Sequence, residues 1–245
     1  MLRSLREALG YVMRAKDGDI GKVVDFYFDD KEWKIRYMVA DTGEWLLSRK
    51  VLISPEAFSG EPDWVAREFP LSITKETVRK SPDVDTEKPV SRQKELDMAA
   101  YYNWPLYWTQ TPVNPVPARL TREIIEKERK KLSEESDIHL RSFREVMKYK
   151  VKTEGEESGH ITDFIVNAKG WEIRYLVADT GSWLPGRKVL LSPAWIVKVE
   201  WADSSVITDL SRNQLRESPE YNPSEPVNRA YEAKLYDYYG RPAYW

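Results

Sequence analysis

The sequence predicts a mainly β protein: two small β-barrels in tandem, each followed by short helices and an aromatic C-terminal arm. Two observations carry this reading. Residues Arg3 to Pro55 match Arg141 to Pro193 without insertion at one constant spacing of 138 positions (141 − 3), with roughly half the positions identical. Within each copy, short runs of period-two alternation are separated by turn residues at the spacing of a small barrel.

The best-matched run is Trp-x-Ile-Arg-Tyr-x-Val-Ala-Asp-Thr-Gly-x-Trp-Leu, at Trp33 and again at Trp171. Trp33, Ile35, Tyr37 and Val39 alternate with Lys34, Arg36, Met38 and Ala40, as a strand requires. Asp41-Thr42-Gly43 and Asp179-Thr180-Gly181 are turn chemistry, and the spacing predicts a returning β segment over 45–53 and its counterpart. Upstream, Gly21–Phe28 and Gly159–Val166 read as strands, and Phe69–Ile73 and Val206–Leu210 as a fourth β segment. Thr74 and Ser211 are helix caps, the second with Gln214 placed for a capping box, and Ser91 and Asn228 cap a longer helix. Each copy closes on Tyr-Tyr-x-x-Pro-x-Tyr-Trp, at Tyr101 to Trp108 and Tyr238 to Trp245.

Between the copies lie a proline-rich spacer, 111–117, and a charged helix over 119–132 with Glu/Lys pairs at i,i+4. The expected domains are 1–109 and 138–245, joined by a linker at 110–137, each folding on its own.

Composition excludes several functions. A net charge of −2 gives no basic footprint for nucleic acid, and no stretch approaches the apolar length of a membrane span. There are 0 cysteines, so disulfides and thiolate chemistry are out, and the charged N-terminus does not read as a signal peptide. A cytoplasmic location is expected, with no cofactor.

Candidate chemistry is sparse. One Asp-Thr-Gly per copy invites comparison with a two-lobed aspartic protease, in which two carboxylates share a proton. Each motif is followed by an aromatic strand and Arg-Lys where that site needs an apolar floor, so Asp41 and Asp179 are assigned to turns and the chain to the non-enzymes. Arg36 with Asp41, and Arg174 with Asp179, are expected to form structural ion pairs. His139 and His160 lack metal-site spacing and are expected in solvent. The aromatic arms are the remaining candidate: Tyr101, Tyr102, Trp104, Tyr107 and Trp108, with Tyr238, Tyr239, Tyr244 and Trp245, either fold back as lids or form an interaction surface.

Gly21-Lys-Val-Val-Asp-Phe, Trp33 to Asp41 and Arg49-Lys-Val-Leu-Ile-Ser-Pro55, with their repeats from Gly159 to Pro193, resemble the PRC-barrel family. That small barrel occurs in the cytoplasmic part of the photosynthetic reaction-centre H subunit and in a ribosomal RNA processing factor. The resemblance implies a non-catalytic barrel that docks on a protein partner, with a homodimer as a further possibility. Its alternatives are a peripheral subunit of a reaction-centre-like electron-transport complex and a ribosome-associated factor.

Overall fold

A computed structural model describes residues 1–84, 90–109, 120–132, 139–181 and 187–245. The proline-rich spacer at 111–117 and Trp183-Leu184 of the second repeat lie outside the described residues. In chain order the strands are β1 (Leu2–Ser4), β2 (Val12–Ala15), β3 (Gly18–Asp29), β4 (Lys34–Asp41), β5 (Lys50–Ile53), β6 (Glu68–Pro70), β7 (Leu140–Ser142), β8 (Lys150–Thr153), β9 (Glu156–Asn167), β10 (Ile173–Asp179), β11 (Lys188–Leu191), β12 (Ile196–Glu200) and β13 (Ser205–Thr208). The helices are α1 (Leu5–Ala8), α2 (Lys75–Arg79), α3 (Arg92–Tyr102), α4 (Arg122–Leu132), α5 (Phe143–Val146), α6 (Arg212–Glu217) and α7 (Arg229–Tyr239).

The protein is mainly β, with two sheets among the described residues. One is six-stranded, ordered β5-β4-β3-β2-β6 with β7 added to β3; the other is seven-stranded, ordered β11-β10-β9-β8-β13-β12 with β1 added to β9. In each, one 12-residue strand, β3 or β9, is long enough to serve several ladders. The first half of β9 pairs with β8, and its last residues pair with β1 through Leu2↔Asn167, Arg3↔Val166 and Ser4↔Ile165.

The exchanged strands redraw the units. One compact unit comprises Met1–Gly10, Glu32–Arg36 and Ser142–Trp245, and the other Tyr11–Lys31 and Tyr37–Arg141. Three boundaries, at Gly10/Tyr11, Lys31/Glu32 and Arg36/Tyr37, fall inside the first sequence copy, and the fourth, at Arg141/Ser142, falls at the start of the second. The physical reason is that β1, too short to persist alone, finds its backbone partners in the second copy, while β7 finds its own in the first.

Each unit has its own apolar centre. Met13, Ile20, Phe26, Phe28, Met38, Leu52 and Phe69 are fully buried in one; Leu5, Phe143, Phe164 and Tyr175 in the other. Leu5, delivered by the exchanged segment, contributes about 2 kcal/mol by burial. Ser4 caps α1 by accepting from Glu7 N and itself donates to Asp163 Oδ2 at 2.5 Å, fixing the segment against β9.

Where the sequence predicts a β segment from 45 onward, the chain first makes a 3-10 turn at Gly43–Leu46, and the strand starts only at Lys50. Leu47 and Ser48 take left-handed φ values of 54° and 56°, which no strand tolerates. The caps hold as expected: Thr74, Ser91, Ser211 and Asn228 each accept from the backbone three residues on, and Ser211 with Gln214 completes the capping box. The linker helix begins at Arg122, and position 119 lies outside the described residues.

Candidate interaction surface

The two Asp-Thr-Gly segments are turns. Asp41 Oδ1 accepts from Gly43 N at 2.9 Å and Asp179 Oδ1 from Gly181 N at 2.8 Å, while each threonine hydroxyl donates to the carbonyl of Arg49 or Arg187 across the turn. The expected Arg36/Asp41 and Arg174/Asp179 pairs do not form. Residues five apart on a strand face opposite ways, and the arginines turn instead to Glu32 at 2.5 Å and Glu172 at 3.6 Å. Among the described residues no cluster of His, Asp and Glu is arranged to hold a metal ion.

The arms are built alike in the two units, and each is organised by a buried glutamate that the motif reading passed over. In the second copy Asn228 caps α7 and places Glu232 one turn in, facing the sheet. Glu232 Oε1 accepts from Tyr175 Oη at 2.8 Å and from Tyr244 Oη at 2.6 Å, and Oε2 pairs with Arg229 at 3.3 Å. Gly240, with φ of 61°, ends α7 in the left-handed conformation that turns the chain back. Pro242 then leads Tyr244 and Trp245 onto the helix, where the Arg229 guanidinium stacks 4.1 Å from the Trp245 ring and Arg174 lies 4.4 Å from that of Tyr244. Burial raises the Tyr244 hydroxyl to about 12, aided by its bond to Glu232, so it remains a donor. Tyr175 is raised too, first by burial, then by Tyr236 and Glu232.

In the first copy Ser91, Arg92 and Glu95 repeat the plan. Glu95, wholly buried, accepts from Tyr107 Oη at 2.6 Å, and Arg92 stands 3.4 Å from it and 4.4 Å from the Trp108 ring. Here His139 joins. Expected in solvent, it is fully buried, with Nε2 3.0 Å from Tyr107 Oη and 2.8 Å from Glu95 Oε1, because it immediately precedes β7 and enters with that strand. His160 is exposed, as expected.

The nine arm residues divide accordingly. Trp104 and Tyr239 are buried, and Tyr102 stacks on Trp104 at 4.1 Å; these are lid residues. Tyr101 and Tyr238 lie at the lid edge, each donating from its hydroxyl to a backbone carbonyl of α2 or α6, Thr77 or Gln214. The hook Tyr107-Trp108 is partly covered by α4, whose Glu128 accepts from the Trp108 indole at 3.3 Å. The hook of the second copy is open, with Tyr244 40% and Trp245 51% exposed. A cleft of about 440 Å³ beside α7 is lined by Arg187, Ser218, Lys234, Asp237 and Tyr238 among others.

The signal for the glutamates was present in the sequence: Arg-x-x-Glu recurs at Arg92/Glu95 and Arg229/Glu232 while most other positions of the two helices differ.

A sheet around one long shared strand, with a capped helix and an aromatic hook on a buried carboxylate, is the plan common to both units. Residues 11–66 match the family model of the PRC-barrel domain, so the chain carries a PRC-barrel domain over that span. The match opens at Tyr11, where the unit formed by Tyr11–Lys31 and Tyr37–Arg141 also opens. No curated protein matches the chain significantly. No helix among the described residues is long and apolar enough to cross a membrane.

Proposed function

We propose that the chain is a non-catalytic adaptor, built from two PRC-barrel modules, that binds a protein partner in the cytoplasm. One observation carries this reading. Tyr244 and Trp245 are half exposed although a glutamate, two arginines and a proline already fix their rings. Exposed aromatics held rigid lose little entropy on docking, which makes them good anchors. The near-neutral charge of −2 favours a protein over nucleic acid as partner. Use of both Asp-Thr-Gly carboxylates within their own turns supports the non-catalytic side.

Affinity capture from source cells with the full chain, read by mass spectrometry and repeated with Trp245→Ala, tests the proposal. Specific recovery that the substitution abolishes is expected. Reaction-centre-like or ribosomal proteins among those retained would identify the corresponding assembly. Failure to retain any protein would sink the adaptor reading, and acid proteolysis lost in Asp41→Asn would sink the non-catalytic one.

A further inference from the structure

The hook and helix of the first copy are seated under a helix; among the described residues no helix covers those of the second. On α3, Arg92 is buried and Gln93, Lys94, Asp97 and Ala100 are part-buried, with α4 packed against them through its Ile124, Ile125, Glu128 and Leu132 side. Two polar contacts lock that seat: Glu128 accepts from the Trp108 indole, and Arg129 pairs with Asp97 at 2.9 Å. At the equivalent positions of α7, Arg229, Ala230, Lys234 and Asp237 are exposed and Tyr231 is part-buried; Ala233 is exposed as well. Among the described residues nothing accepts from the Trp245 indole.

We infer that this bare face of α7 with Tyr244 and Trp245 is the docking seat for an amphipathic helix of a partner protein that carries acidic side chains one residue apart. The inference rests on the adaptor reading above and names its surface. The template is α4 itself, lying on the twin of this surface. The small side chains of Ala230 and Ala233 allow close approach of a helix, and Trp245 supplies the apolar anchor. Charge then sets the partner's chemistry. Asp97, which takes Arg129 of α4, is replaced in the second copy by Lys234, so the matching position on the incoming helix must be acidic. One residue before it, a glutamate in the place of Glu128 would meet the indole N–H beside the exposed Arg229.

The test is a titration of the ¹⁵N-labelled full chain with a peptide of residues 120–132 carrying Arg129→Glu, held helical by an outer-face lactam because so short a helix does not persist in water. Saturable shifts of the Trp245 indole and of the Ala230 and Ala233 amides are expected. Affinity should fall roughly three- to fivefold when the peptide keeps Arg129, and Lys234→Glu in the chain should reverse that preference. No shift at these groups, or a Lys234→Glu chain that responds identically, overturns the seat. Dilution-dependent shifts at Trp245 without peptide overturn it as well, by showing that a second copy of this chain occupies the face. Protein capture that survives both Lys234→Glu and Trp245→Ala, with a silent peptide, removes the seat but leaves the adaptor reading intact. Absence of both capture and peptide binding removes both.

Discussion

Trp33 and Trp171 stand at the same position of the two sequence copies and make the same hydrogen bond in opposite directions. The carbonyl of Trp171 accepts from Ile35 N at 2.9 Å, and the carbonyl of Trp33 accepts from Ile173 N at 2.7 Å, with Lys34 and Glu172 bridged between them. Both tryptophans take left-handed φ, 51° and 63°, a conformation kept only where surrounding structure enforces it. Self-complementary contacts of this kind are what two-fold dimers make. Here one chain makes them with itself, because duplication supplies both partners.

Leu5 gives a direct test of the exchange. It belongs to the first sequence copy but is fully buried beside β9 of the second, so Leu5→Ala should cost about 2–4 kcal/mol. Hydrogen exchange should accelerate at Phe164–Asn167 and stay unchanged at Phe26–Asp29. Acceleration confined to the first copy would mean that β1 packs on its own repeat.

Asp163 makes the docking of the same segment pH-dependent. It accepts from Ser4 Oγ, Arg6 N and Phe164 N, yet burial outweighs these bonds and raises it to about 6. The native state then holds a proton that the unfolded chain releases near pH 4. Stability should therefore fall as pH rises from about 4 to 6, by on the order of 2 kcal/mol, and change little further from this group above that window. Denaturant titrations at pH 4.5 and 7 should show the slope in the wild type and lose it in Asp163→Asn; equal slopes would refute the assignment.

Local features were legible in the sequence because they depend on neighbours along the chain. The caps at Ser91 and Asn228, the turns at Asp41 and Asp179 and the strand at Lys34–Asp41 all follow from spacing and turn chemistry. Pairing across copies was not legible. A repeat says which segments are alike, but β1 and β7 are equally suited to either sheet, and only three-dimensional closure decides between them. The same limit hid His139, which is buried solely because β7 carries it in. The arginine pairs were a different failure: an interval of five residues already excludes a shared strand face, so the Arg36 and Arg174 assignments could have been rejected from the sequence.

Gly21 and Gly159 show why one repeated residue cannot vary. A Cβ at either would stand inside the backbone carbonyl of Asp41 or Asp179, and neither neighbour is a side chain able to swing away. Gly21→Ala and Gly159→Ala should each cost about 3 kcal/mol, the scale of an overpacked site. Gly60, with nothing within 4 Å, should accept alanine within about 0.5 kcal/mol in the same thermal melts. Equal tolerance at all three would show that β3 and the Asp-Thr-Gly turn are not in close contact.

Glu232 decides whether the second aromatic hook is held or loose. Glu232→Ala leaves the fully buried Tyr175 hydroxyl without its carboxylate acceptor and strips Arg229 of its ion pair, so it should cost about 3 kcal/mol. Glu232→Gln keeps an oxygen for one tyrosine and should cost about half as much. Tyr244→Phe removes a single hydrogen bond, about 1 kcal/mol, and should leave the core intact. Because Tyr244 and Glu232 touch, the double variant Tyr244→Phe/Glu232→Gln should lose less than the two single losses combined, with a coupling of about 1 kcal/mol. Alongside, solvent exchange at the Trp245 indole should quicken in each single variant as the hook detaches. Additive losses with an unchanged Trp245 signal would mean that the hook is fixed by its arginine stacking alone, leaving the buried carboxylate to hold only helix to sheet.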